Sequence, residues 1–122
     1  MKAFKVFVYG TLKRGFPLHH HLRGARYLGK AWLRGFVMYD LGWYPAILPG
    51  EGVVSGELYE VDWATLLLLD EVEEEGEEYE RRLLSVELED GRREEAFVYV
   101  YRKDLKGQPR VQEGVWQKKV SF

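Results

Sequence analysis

With 122 residues, 46% of them apolar, the chain can bury one hydrophobic core and is not a disordered segment. A net charge of −2 supplies no positive field for nucleic acid or anionic lipid, and no run of 18 apolar residues is present to span a bilayer. The absence of cysteine removes disulfides, thiolate metal sites and a thiol nucleophile together.

The opening Met1-Lys2-Ala3-Phe4-Lys5 lacks the apolar segment of a secretion signal, so a cytoplasmic domain over residues 1–122 is expected. Ala3 to Tyr9, rich in Phe and Val, reads as a strand stopped by Gly10. Thr11 to Gly15 is a polar loop, and Pro17 to Leu22 a short helix with Pro in its first turn. Lys30 to Leu41 is a second extended stretch, followed by predicted turns at Gly42-Trp43-Tyr44-Pro45 and Pro49-Gly50-Glu51-Gly52. Val53 to Val61 alternates as a strand. Asp62 then caps a helix from Trp63 to about Val72. Tyr79 to Glu89 and Glu94 to Arg102 form a hairpin across Asp90-Gly91, a pair suited to a type I′ turn. After Gly107-Gln108-Pro109, a tail carrying Trp116 and Val120 is expected as an edge strand or docking arm. The order gives an α+β domain dominated by sheet, with one main helix and a short helix after the first strand. Asn is absent and Gln occurs only at 108, 112 and 117, a balance expected of a thermophilic source.

Three segments carry candidate chemistry. Gly10 lets the loop Tyr9-Gly10-Thr11-Leu12 leave its strand with consecutive N–H groups open to a carboxylate or oxyanion, although the pattern by itself equally describes a plain strand-to-helix turn. Gly10 and Gly15 have the spacing of a phosphate-binding loop, but Phe16-Pro17 stands where Lys and Ser or Thr are needed, which excludes that mechanism. On a helical wheel with Leu66 at zero, Leu68, Val72, Leu69 and Glu73 fall at about 200°, 240°, 300° and 340°. Glu71, Glu74 and Glu75 fall at about 140°, 80° and 180°, whereas Glu73 shares the apolar arc, if the helix or a continuing turn reaches it. A carboxyl there has a raised pKa and the character of a general base. The competing reading ends the helix at Val72 and leaves Glu73 as one more surface acid. In the third segment, Tyr79 and Arg81 share one strand face and either bind a carboxylate or fix an acid, or belong to an ordinary strand with a surface cation. Trp43-Tyr44-Pro45 is either a pocket wall or a packed turn. His19-His20-His21 cannot turn three neighbouring rings toward one ion, so no metal site is expected.

Val8-Tyr9-Gly10-Thr11-Leu12-Lys13-Arg14-Gly15 resembles the signature of the γ-glutamylcyclotransferase-like family, and most closely its γ-glutamylamine cyclotransferase branch. Pro17 and His19 also match that branch, whereas Leu18 replaces an Asn; Tyr44-Pro45-Ala46 resembles its Tyr-Pro segment. Leu69-Asp70-Glu71-Val72-Glu73, followed by Tyr79 and Arg81, is similar to the segment that carries the catalytic acid. The match singles out Glu73, with Glu74 the alternative position in the acidic run. The resemblance implies a barrel-like α+β fold without metal or organic cofactor. It further implies a small γ-glutamyl substrate, either a γ-glutamyl amine or a γ-glutamyl amino acid. In the implied reaction, a cyclising acyl transfer, the substrate's α-amine attacks its own γ-carbonyl and releases 5-oxoproline. Glu73 would act as general acid and base, with Tyr9, Gly10, Thr11, Leu12, Tyr44, Tyr79 and Arg81 binding substrate. A non-catalytic ligand-binding or interaction domain on the same scaffold is the alternative expectation.

Overall fold

The computed structural model describes residues 2–118. Its elements are β1 (Phe4–Val8), a short 3₁₀ helix (His19–Leu22), β2 (Arg26–Asp40), β3 (Pro45–Val61), α1 (Trp63–Val72), β4 (Tyr79–Leu88) and β5 (Arg93–Tyr101). The strands close into a barrel in the order β1-β3-β2-β4-β5. All pairings are antiparallel except the closing one between β1 and β5, which is parallel at Val6↔Phe97. No helix among the described residues is long and apolar enough to cross a membrane.

Alternation along the strands sorts the apolar side chains into two cores. Phe7, Leu33, Val54, Leu58, Val86 and Val98 fill the barrel interior. Val6, Val8, Tyr59 and Val61 face outward and are covered by Leu66 and Leu69 of α1 and by Leu22 of the 3₁₀ helix. β1 is therefore buried on both faces. This is why its sequence is continuously apolar from Val6 to Val8 rather than alternating.

Asp62 caps α1 by accepting a hydrogen bond from the Thr65 N–H at 2.8 Å. Only Leu66 and Leu69 of the leucine run are buried, while Leu67 and Leu68 stay exposed. The covered arc is thus narrower than the apolar pattern suggests, spanning about 300° to 0° on the wheel, and Glu73 falls within it.

Two local expectations need correction. The predicted turn at Pro49-Gly50-Glu51-Gly52 is part of β3, which starts at Pro45 instead of Val53. The register against β2 shifts between Arg34↔Val53 and Phe36↔Pro49, so three residues oppose the single Gly35 in a bulge. The glycines and proline that read as a turn serve that bulge. The β4–β5 connection is not type I′, which needs left-handed φ at both central residues. Only Gly91 is left-handed there (φ 88°), with Gly91 N–H donating to Leu88 O at 3.0 Å and Leu88 N–H to Arg92 O at 2.9 Å. The loop is Glu89-Asp90-Gly91, a turn followed by a glycine bulge. The tail keeps part of its expected course: it pairs with the edge of β2 in a single antiparallel bridge, Tyr39↔Arg110, and then docks against the barrel. Val111 N–H donates to Met38 O, Ser55 N–H donates to Gly114 O, and Trp116 is buried with the barrel interior. Val120 lies outside the described residues.

Candidate active site

A cavity of 340 Å³ opens beside the C-terminal end of β1. One wall is the strand end and its loop, Tyr9 to Leu12. Facing it are the end of α1 (Val72, Glu73, Glu74), then Glu78 and Tyr79. Trp43 and Tyr44 from the β2–β3 turn, Pro45 at the start of β3, Pro17 and Leu18 from the entry to the 3₁₀ helix, and Tyr99 from β5 complete it. Tyr9, Gly10, Thr11, Leu12, Tyr44, Glu73 and Tyr79 therefore surround one space. Arg81 lies outside the lining and reaches Asp70 instead.

The loop is held from several sides. Gly10 packs so closely on Pro45 that a Cβ would stand 2.6 Å and 2.8 Å from the ring's Cγ and Cδ, so glycine is required for close approach. Lys13 N–H donates to Gly10 O at 3.1 Å, and Leu18 N–H to Thr11 O at 2.9 Å. Lys13 Nζ donates to Trp116 O at 2.8 Å, which ties the loop to the inserted tail. Arg14 N–H donates to Glu57 Oε1 at 2.8 Å, and His19 Nδ1 lies 3.0 Å from Leu12 O, as a protonated Nδ1 requires. The amides of Gly10, Thr11 and Leu12 find no acceptor among the described residues.

Helix α1 ends at Val72, but the chain keeps a helical bond at the next residue: Glu73 N–H donates to Leu69 O at 2.9 Å. Glu74 then adopts a left-handed φ of 50°. Its N–H donates to Glu71 O, and Glu75 N–H donates to Asp70 O, the paired bonds of a Schellman close. This continuing turn aims Glu73 at the cavity even though the regular helix has stopped. Part of Glu73 still meets solvent, yet its carboxyl is densely surrounded. Desolvation first, and the negative charge of Glu78 second, raise its pKa from 4.5 to about 7.

Four tyrosines frame this acid. Tyr9 hydroxyl donates to Tyr99 O at 2.6 Å, and Tyr79 hydroxyl to Pro45 O at 2.7 Å. Tyr99 hydroxyl donates to Asp70 Oδ1 at 2.7 Å, and Tyr44 hydroxyl to Glu78 Oε2 at 3.1 Å. Burial raises all four phenols, Tyr44 to about 12, and the charge of Glu73 raises Tyr9, Tyr79 and Tyr99 further. All stay protonated near neutrality. Because each proton is committed to a protein oxygen, a phenol oxygen facing the cavity is free to accept from a ligand.

Asp70, Tyr99 and Glu78 escaped functional assignment from the sequence. Glu78 is one acid in a dense run, with nothing to separate it there. Tyr99 was hidden by the hairpin register, which places it opposite Arg81 and Tyr101 opposite Tyr79, all on one face. A two-residue turn at Asp90-Gly91 shifts that register by one and puts Val100 opposite Arg81 instead.

Comparison with known proteins agrees with this architecture. Residues 6–118 match the family described as Gamma-glutamyl cyclotransferase, AIG2-like. The Escherichia coli gamma-glutamylcyclotransferase family protein YtfP is 35% identical over 112 residues, covering 92% of this chain and 95% of that protein. An AIG2-like protein of Mus musculus superposes with a TM-score of 0.81 at 32% identity, over 93% of this chain and 88% of the other. Protein PH0828 of Pyrococcus horikoshii does so with a TM-score of 0.74 at 35% identity, over 92% and 88%. The chain belongs to the γ-glutamyl cyclotransferase (AIG2-like) family of enzymes.

Proposed function

We propose that the protein cyclises a γ-glutamyl amine or γ-glutamyl amino acid to 5-oxoproline, with Glu73 as the proton-transfer group. The observation that carries this reading is a carboxyl group with a pKa of about 7 in a cavity faced by the Tyr9–Leu12 turn. At neutral pH such a group is divided between base and acid, which suits a residue that must take a proton and return it.

The chemistry follows from the placement. The amides of Gly10, Thr11 and Leu12 receive the substrate's α-carboxylate or the developing oxyanion. The phenol oxygens of Tyr9 and Tyr79 accept from the α-ammonium, and Tyr44 walls the leaving-group side. Glu73 removes a proton from the α-ammonium, and the freed nitrogen attacks the γ-carbonyl carbon, closing a five-membered ring. As the bond between that carbon and the leaving nitrogen breaks, Glu73 delivers the proton to the departing amine. The second proton shed by the ring nitrogen takes the same route, so the amine leaves as an ammonium. Both reacting groups belong to one molecule, and holding it folded removes much of the entropic barrier.

A panel of γ-glutamyl amines and γ-glutamyl amino acids, assayed for 5-oxoproline, tests the proposal. The wild type is expected to turn over at least one class, while Glu73→Gln keeps its circular dichroism spectrum and loses turnover. Wild-type rates in Glu73→Gln would remove this residue from the reaction. Absence of product from every compound would favour the ligand-binding alternative.

A further inference from the structure

Asp70 stands one helical turn before Glu73 and takes no part in the cavity lining, yet both its carboxylate oxygens are engaged. Oδ1 accepts the Tyr99 hydroxyl at 2.7 Å. Oδ2 lies 3.0 Å from Arg81 Nη1, outside hydrogen-bond geometry, so this contact is an ion pair rather than an aligned bond. The two side chains are shielded, at 19% and 21% exposure for Asp70 and Arg81, and the guanidinium lies 4.8 Å over the Phe97 ring. Tyr99 in turn accepts the Tyr9 hydroxyl on its backbone oxygen at 2.6 Å.

These contacts form one chain, Arg81–Asp70–Tyr99–Tyr9, that runs from β4 through the end of α1 and β5 to the first residue of the loop. It ties the helix end that carries Glu73 to the same strand that holds Tyr9. The helix end needs such a tie, because the residue after Glu73 sits in a left-handed conformation that an L side chain disfavours. We propose that Asp70, with Arg81 as its counter-ion, is a positioning residue that fixes the Glu73 carboxyl against the Tyr9–Leu12 turn. Its kinetic consequence rests on the cyclisation reading, whereas its structural consequence does not.

Loss of an ion pair that only added stability would lower the melting temperature without touching the folded site. The test therefore compares wild type, Asp70→Asn and Arg81→Lys by thermal melting, by carboxyl ¹³C titration of Glu73, and by steady-state kinetics on whichever compound the wild type cyclises. In folded Asp70→Asn the Glu73 titration midpoint is expected to move from about 7 toward the ordinary carboxylate value. kcat is expected to fall about 10- to 100-fold with KM nearly constant, as for a misplaced catalytic group. Arg81→Lys, which keeps the charge, is expected to retain most of both properties. An unchanged Glu73 midpoint together with wild-type kcat in folded Asp70→Asn would overturn the proposal. If the wild type forms no 5-oxoproline, the titration alone decides: a moved midpoint keeps Asp70 as the positioning residue while the cyclisation reading falls, and an unmoved one removes it. Should Asp70→Asn fail to fold, Arg81→Gln carries the same titration, with the same outcomes for and against.

Discussion

With its titration midpoint raised to about 7, Glu73 changes charge across the range in which a neutral-pH enzyme works. On the cyclisation reading the carboxylate is the competent form, so kcat/KM should rise with pH with unit slope and level off above about 7. Stability runs the other way. In the folded chain Glu73 holds its proton more tightly than in the unfolded chain, where it titrates near 4.5. Its favourable contribution is complete below 4.5 and is lost as pH climbs through about 7. Glu73→Gln should therefore be more stable than wild type by about 1–3 kcal/mol at pH 8 and equal to it at pH 4. Urea titrations at the two pH values check this. Gly10 offers a second test. A methyl group there meets the stiff Pro45 ring at 2.6 Å, so Gly10→Ala should lose about 1–3 kcal/mol and most activity. The inward placement of Glu73 was legible on the wheel because Leu66 and Leu69 bracket it. The magnitude of its pKa shift was not, since that depends first on how far the folded chain strips water from the carboxyl and second on Glu78, a neighbour brought close by a turn without periodicity.

At the level of elements, the end of α1 combines a well-formed cap with an ill-suited residue. The bonds Glu74 N–H to Glu71 O and Glu75 N–H to Asp70 O are those that usually close around glycine, yet Glu74 holds the left-handed position at φ 50°. Glu74→Gly should relieve that strain and, after the added freedom of the unfolded chain, raise stability by about 0.5–1 kcal/mol in thermal melts. The competing assignment of the acid to Glu74 is addressed by the same geometry. Glu74 is exposed at the edge of the cavity, whereas Glu73 lies on the covered arc. The hairpin shows why elements were easier to read than their partners. Both strands were evident from their residues, but one additional residue in the turn decides which side chains of β5 join Tyr79 and Arg81. Asp-Gly is compatible with either turn, so the face holding Tyr99 could not be read from that pair alone.

For the whole molecule, closure of the sheet was the step beyond reach of pattern. Alternation reports which face of a strand is covered, not which strands meet. The short parallel contact between β1 and β5 leaves no mark on either strand's composition. The course of the tail was equally hidden, because Trp116 has no periodic context to announce that it enters the interior. The Tyr9 hydroxyl bonds to an oxygen 90 positions away in the chain, and Lys13 to one 103 positions away. No fragment of the chain can preassemble the site, and loops of that length are slow to close. In a refolding time course, helical and sheet signals should therefore recover first. Ligand binding should return only in the slowest phase, when the two ends of the sheet meet, and an early burst of binding would show the pocket to be more local than its wiring implies.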